Sequence, residues 1–166
     1  MTIYLVIPLL AVIGLLQATV MPRLAIWGIF LDLPLLIVVS WSLLRGSREG
    51  LVWGFVAGLM VDLFSGAPFG AATASLMAVG FLAGFGEAAV FRNPFLPPGV
   101  MFLATMVYDL LFLLVVRISG DAVEWLSSLF RIIAPSALLN ALLTPVILGV
   151  MRALYGRFKR DGVGLG

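Results

Sequence analysis

Arg45-Gly46-Ser47-Arg48-Glu49-Gly50, the apolar run from Leu51 to Phe64 and the turn Ser65-Gly66-Ala67-Pro68-Phe69-Gly70 decide how this chain folds. Two arginines stand at one end of the stretch and none at the other. Gly50, Gly54 and Gly58 recur every four residues, so on a helix they share one face and let a second helix approach closely. Asp62 then interrupts the apolar run just before the turn. A carboxylate at the bilayer centre costs about 2.5–3.5 kcal/mol on insertion scales, so Asp62 must face protein or water rather than lipid.

The rest of the chain has the same character. Hydrophobic residues make up 63% and charged residues 11%, with a mean hydropathy of +1.20. Soluble domains run nearer about 45–50% apolar and about 25% charged. This composition defines a polytopic membrane protein. Backbone groups in hydrocarbon must be satisfied internally, and long apolar runs without period-2 alternation indicate helices rather than a barrel. At about 20 residues per span, 166 residues hold about six transmembrane helices in a single all-α transmembrane domain, 1–166. The chain has no cysteine and no histidine, which removes disulfides, thiol nucleophiles, Cys/His metal sites and Ser-His relays. No catalysis and no cofactor is expected. No basic stripe with interleaved aromatics points to nucleic acid.

The apolar runs place spans at about 3–20, 25–44, 50–64, 70–89, 100–116 and 132–154. The first lacks a basic leading region and a small-residue cleavage site, so it reads as a retained helix ended by Pro22. The second carries Asp32-Leu33-Pro34 inside it, with a kink expected at Pro34, and Trp27 and Trp41 near its ends suit aromatic belts. Gly80 and Gly84 in the fourth span repeat the small-residue spacing, which makes the third and fourth spans the expected tight pair. Residues 91–99 are rich in breakers and should leave the hydrocarbon, and Glu87 is expected in headgroup water beside Arg92. The fifth span carries Tyr108-Asp109, and the sixth contains Pro135, Asn140 and Pro145. Between them, residues 117–131 have an amphipathic stripe with Trp125, which suits a short interfacial helix.

Lysine and arginine set the orientation. A cytoplasmic tail collects Arg45, Arg48, Arg92, Arg152, Arg157, Lys159 and Arg160 on one side and leaves Arg23, Arg117 and Arg131 on the other. Both termini are then cytoplasmic, and Arg45, Arg48, Arg152, Arg157, Lys159 and Arg160 anchor the topology against anionic lipid. Asp32 and Asp62 fall in the outer half of the membrane and Asp109 near its middle.

These acids admit three readings. An intramembrane peptidase would pair two aspartates, but the Gly-x-Gly-Asp half of such a pair is absent, since Asp62 follows Leu59-Met60-Val61. An ion or proton path could run through Asp32, Asp62, Asp109 and Asn140. The architectural reading has Asp62 accepting from turn amides or from the first amides of the next helix, and Asp32 pairing with Arg23. The architectural reading leaves Asp109 without an assigned role.

Gly54-Phe55-x-x-Gly58-Leu59-x-x-Asp62-x-x-Ser65-Gly66-x-Pro68-x-Gly70, preceded by Arg45-Gly46-x-Arg48-Glu49-Gly50, resembles the central signature of the MreD family of rod shape-determining membrane proteins. Asp32-Leu33 before an apolar run matches that family's Pro-Asp-Leu start to its second helix, although Leu31 stands in place of the proline. The resemblance implies a non-enzymatic scaffold of the bacterial inner membrane that supports lateral peptidoglycan synthesis and cell shape. Its implied partner is MreC, a single-span protein, and beyond it a penicillin-binding transpeptidase, RodA and MreB. The family is also similar in fold to the substrate-capture subunits of energy-coupling-factor vitamin transporters, which supplies the rival reading. Such a subunit needs a polar pocket, and the chain has few polar groups to line one. The structural and partner candidates are therefore Asp32, Gly50, Gly54, Gly58, Asp62, Gly66, Gly70, Gly80, Gly84 and Asp109.

Overall fold

The computed structural model describes residues 31–90, 92–93, 95–120 and 133–161, together with Val12, Leu15, Gln17 and Thr19. Most of the first span, Arg23, Trp27, the interfacial stripe with Trp125, Arg131 and the side chains of Arg157, Lys159 and Arg160 lie outside what is described. Among the described residues the ordered elements are helices: α1 (Leu33–Arg45), α2 (Ser47–Phe64), α3 (Ala71–Ala83) with a 3-10 turn at Gly84–Gly86, α4 (Leu96–Ile118) and α5 (Ala134–Asp161).

Two of them are long and apolar enough to cross a membrane. These are Leu96–Ile118, with mean hydropathy 2.3, and the Ala134–Ala153 portion of α5, with 1.7. At 1.5 Å per residue, α4 rises about 34 Å, which exceeds the roughly 30 Å of a hydrocarbon core. Helix α2 has 18 residues but carries Arg48, Glu49 and Asp62. Helix α1 and the segment Ala71–Gly86 are apolar and shorter.

The centre of the fold is α1. Leu35, Leu36, Val38, Val39 and Leu43 have no exposed surface, and α2, α3, α4 and α5 all touch this helix. A helix that is apolar all round must be enclosed, and here other helices enclose it. Leu51, Phe55, Phe81, Leu82, Leu103, Leu114, Leu142 and Val146 point outward and give the bundle the apolar exterior that hydrocarbon requires.

Several boundaries differ from those read in the sequence. Pro34 does not kink a long helix, because α1 starts at Leu33 with Asp32 as its N-cap and proline in its first turn. A proline there removes only an amide that has no partner within the helix. Trp41 is not a lipid-facing belt residue either: it is buried and stacked on Trp53, with ring centroids 4.5 Å apart. Arg48 and Glu49 lie in the first turn of α2 rather than in a loop before it. Pro97 and Pro98 lie in the first turn of α4, and Pro135 in the first turn of α5, so of the sixth-span prolines only Pro145 is inside the helix. Helix α5 also runs on to Asp161, so Arg152 and the basic residues after it sit on a helix.

Helices α1 and α2 are joined by one residue, Gly46, at φ +85°. A side chain there is strained by the backbone and blocked by the carboxylate of Glu87, a residue that is itself exposed. Helices α2 and α3 then run antiparallel in direct backbone contact. A Cβ on Gly50 would collide with the Gly80 carbonyl and the Ser42 hydroxyl. One on Gly54 would strike the Leu76 carbonyl, and one on Gly58 the Thr73 backbone. From the other side, Gly80 faces the Gly50 carbonyl and Gly84 faces Ser47. A Cβ on Gly66 would meet no atom within 4 Å, so this glycine plays no part in the contact.

Gly54→Leu and Gly58→Leu should each lower stability by upwards of about 2 kcal/mol, since overpacked cores typically lose 1–3 kcal/mol even where only side chains must move. Gly66→Ala should change it by less than about 0.5 kcal/mol. Reversible unfolding in mixed micelles, followed by tryptophan fluorescence, measures all three.

Candidate functional site

Three polar constructions interrupt the apolar bundle. The first is Asp62, near the C-terminal end of α2 and 4% exposed. Its Oδ1 accepts from the Ala72 amide at 2.9 Å. Its Oδ2 accepts from the Gly70 amide at 3.0 Å, the Thr73 amide at 2.9 Å and the Thr73 hydroxyl at 2.5 Å. One carboxylate therefore caps the start of α3 from a different helix. Gly70 reaches the required geometry at φ +96°, in the left-handed region that glycine tolerates. The negative charge also meets the positive end of the α3 dipole.

The second construction is the start of α1. Asp32 Oδ1 accepts from the Leu35 amide at 3.1 Å. The Asp32 amide donates to Asn140 Oδ1 at 3.3 Å, and the Leu33 amide to Gln17 Oε1 at 3.2 Å. Pro34 has no amide to satisfy, so the opening amides of α1 are all accounted for by side chains. Asn140 is held in turn: its Nδ2 donates to the Thr105 hydroxyl at 3.3 Å, which itself donates to the Met101 carbonyl at 2.9 Å. The Thr144 hydroxyl donates to the Asn140 carbonyl at 2.8 Å, one residue before Pro145. Arg23, the partner expected for Asp32, lies outside the described residues.

These groups border a cavity of about 400 Å³, lined by Gln17, Asp32, Thr105, Tyr108, Asp109, Phe112, Leu113, Ile133, Ser136 and Asn140. Asp32 and Asp109 therefore share one space, whereas Asp62 belongs to the α2–α3 junction and does not join them. A single ion path through all three acids does not match this arrangement. The polar groups available to line a pocket are few, as expected from the sequence, but α1, α4 and α5 bring them together. Gln17, Thr105, Ser136 and Thr144 do not stand out in the sequence, although each is a polar side chain within a long apolar run.

The third construction lies at the opposite end of α1. Arg45 and Glu49 form an ion pair at 2.5 Å, and Trp41 Nε1 donates to Glu49 Oε2 at 2.9 Å. The ion pair is partly exposed and contributes at most about 1 kcal/mol. Its role is positional, because it joins the tail of α1 to the head of α2 over the stacked Trp41 and Trp53 rings.

No group of three or more histidine, cysteine, aspartate or glutamate residues suited to a metal is present among the described residues. Among the described residues the fold is all-helical, with buried polar groups that cap and join helices and two helices long and apolar enough to cross a membrane. The chain belongs to the MreD family: the family model described as rod shape-determining protein MreD matches residues 1–158. Neither the curated proteins nor the solved structures yield a match.

Asp62→Leu would leave three backbone amides without their acceptor, at about 1–3 kcal/mol for each group that stays buried. It should destabilise the protein by several kcal/mol, Asp62→Asn by less, and Thr73→Val by about 1–2 kcal/mol. Unfolding midpoints of the three variants, ranked in that order, are the check.

Proposed function

We propose that this chain is a non-enzymatic, multi-pass subunit of the bacterial elongation complex in the inner membrane. In this reading it binds an MreC-like single-span protein and supports lateral peptidoglycan synthesis, with a penicillin-binding transpeptidase, RodA and MreB in the wider assembly. About six spans cross the membrane, with both termini cytoplasmic. The observation that carries the reading is the family match over residues 1–158. The arrangement of lysine and arginine supports the orientation.

A scaffold must offer a membrane-embedded partner a firm surface. The α2–α3 seam, where backbone meets backbone, provides rigidity. An apolar groove of about 260 Å³ between α3 and α4, lined by Val79, Leu82, Ala83, Val100, Leu103, Ala104 and Val107, provides a place for apolar side chains of a partner helix. The capture-subunit alternative has no match among solved structures behind it.

Gentle purification of the tagged protein from its own membranes should recover a single-span partner in near-stoichiometric amount. Leu103→Trp, which fills the groove, should reduce that recovery at least about tenfold, the effect of a lost interface contact worth about 1.4 kcal/mol. Leu142→Trp, on the exposed side of α5, should leave it unchanged. Equal recovery with both variants, from equally abundant protein, would remove the groove as the docking surface.

A further inference from the structure

The cavity between α1, α4 and α5 contains more chemistry than helix capping uses. Asp32 and Asp109 both line it, and none of its described lining residues is lysine or arginine. Asp109 accepts no hydrogen bond among the described residues, in contrast to Asp62. Ser136 is only 6% exposed and lines the same space, and its hydroxyl has no hydrogen-bond partner among the described residues. Buried hydroxyls are ordinarily paired, so an unpaired one lining the same cavity as two carboxylates marks a place where a ligand group can bind.

The charge and size of the space narrow that group. Two carboxylates with no counter-charge among the described lining residues call for a cation, because isolated anions at membrane depth are costly. A bare ion would leave most of about 400 Å³ unfilled, a volume within the roughly 300–1,000 Å³ of small-molecule sites. Tyr108 and Phe112 supply aromatic surface on the same wall, with ring centroids 6.1 Å apart, and a cation on an organic frame can use both the carboxylates and the rings. We propose that this cavity binds an ammonium group carried by a small organic ligand, either the head group of a zwitterionic lipid or a soluble primary amine. Asp109 and Asp32 meet the charge, Ser136 accepts from the ammonium, and the aromatic wall holds the carbon frame. The proposal does not depend on the partner assignment above.

The test uses the full-length protein in detergent, titrated separately with ethanolamine, phosphatidylethanolamine, phosphatidylglycerol and sodium chloride, with the unfolding midpoint as readout. A ligand bound only by the folded state raises the midpoint with its concentration. Stabilisation by phosphatidylethanolamine but not ethanolamine identifies a lipid head group, and stabilisation by ethanolamine identifies a soluble amine; either supports the site. Asp109→Asn and Asp32→Asn should then weaken the response at least about tenfold, as expected for the loss of a charged hydrogen bond. Asparagine remains a good N-cap, so Asp32→Asn preserves the start of α1. Ser136→Ala, which removes a single hydroxyl, should weaken it severalfold. No response to either amine overturns the proposal. So does an equal response to phosphatidylglycerol or to sodium chloride, or an unchanged response in the two asparagine variants.

Discussion

An amide at a helix start has no partner within its own helix, and in hydrocarbon it has no water either. Much of this structure follows from meeting that requirement twice. At α3 it is met by one carboxylate, Asp62, which takes three amides and a hydroxyl from the adjoining turn. At α1 it is met piecemeal, by Asp32 itself and by amide side chains from Gln17 and Asn140. The first solution welds two neighbouring helices. The second draws distant parts of the chain to one point and leaves a space between them.

The glycine seam depends on the first of these. Gly50, Gly54 and Gly58 bring α2 against the backbone of α3, and Gly80 and Gly84 do the same from the other side. Between lipid-facing helices there is no hydrophobic driving force, so such contact relies on dispersion and on polar ties. Asp62 fixes the register at the end of the seam where the chain reverses. The Gly46 joint and the Arg45–Glu49–Trp41 cluster fix the other end. Helix α1 is then enclosed by elements whose mutual positions are already set.

How much of this can be read in the residues depends on distance along the chain. The seam and the Asp62 turn are legible because spacing four, a lone carboxylate and a Gly-Pro turn all lie within one short stretch. The start of α1 is misread because a proline within an apolar run looks like a kink until its cap is known. The cavity is not legible, since it joins Asp32 to Asn140 across 108 residues and needs the α4–α5 packing to form. Trp41 is misplaced for a similar reason: whether a terminal tryptophan faces lipid or protein is decided by its neighbour, here Trp53.

The partners of Asp62 lie only 8 to 11 residues beyond it in the chain. During synthesis this matters. When α2 has been made its carboxylate is unmatched, and the groups that match it are among the next to be made. The unfavourable interval is therefore as short as a helical hairpin allows, and pairing can accompany formation of α3 without waiting for the later helices α4 and α5. The α2–α3 hairpin is built so that each half supplies what the other leaves unsatisfied.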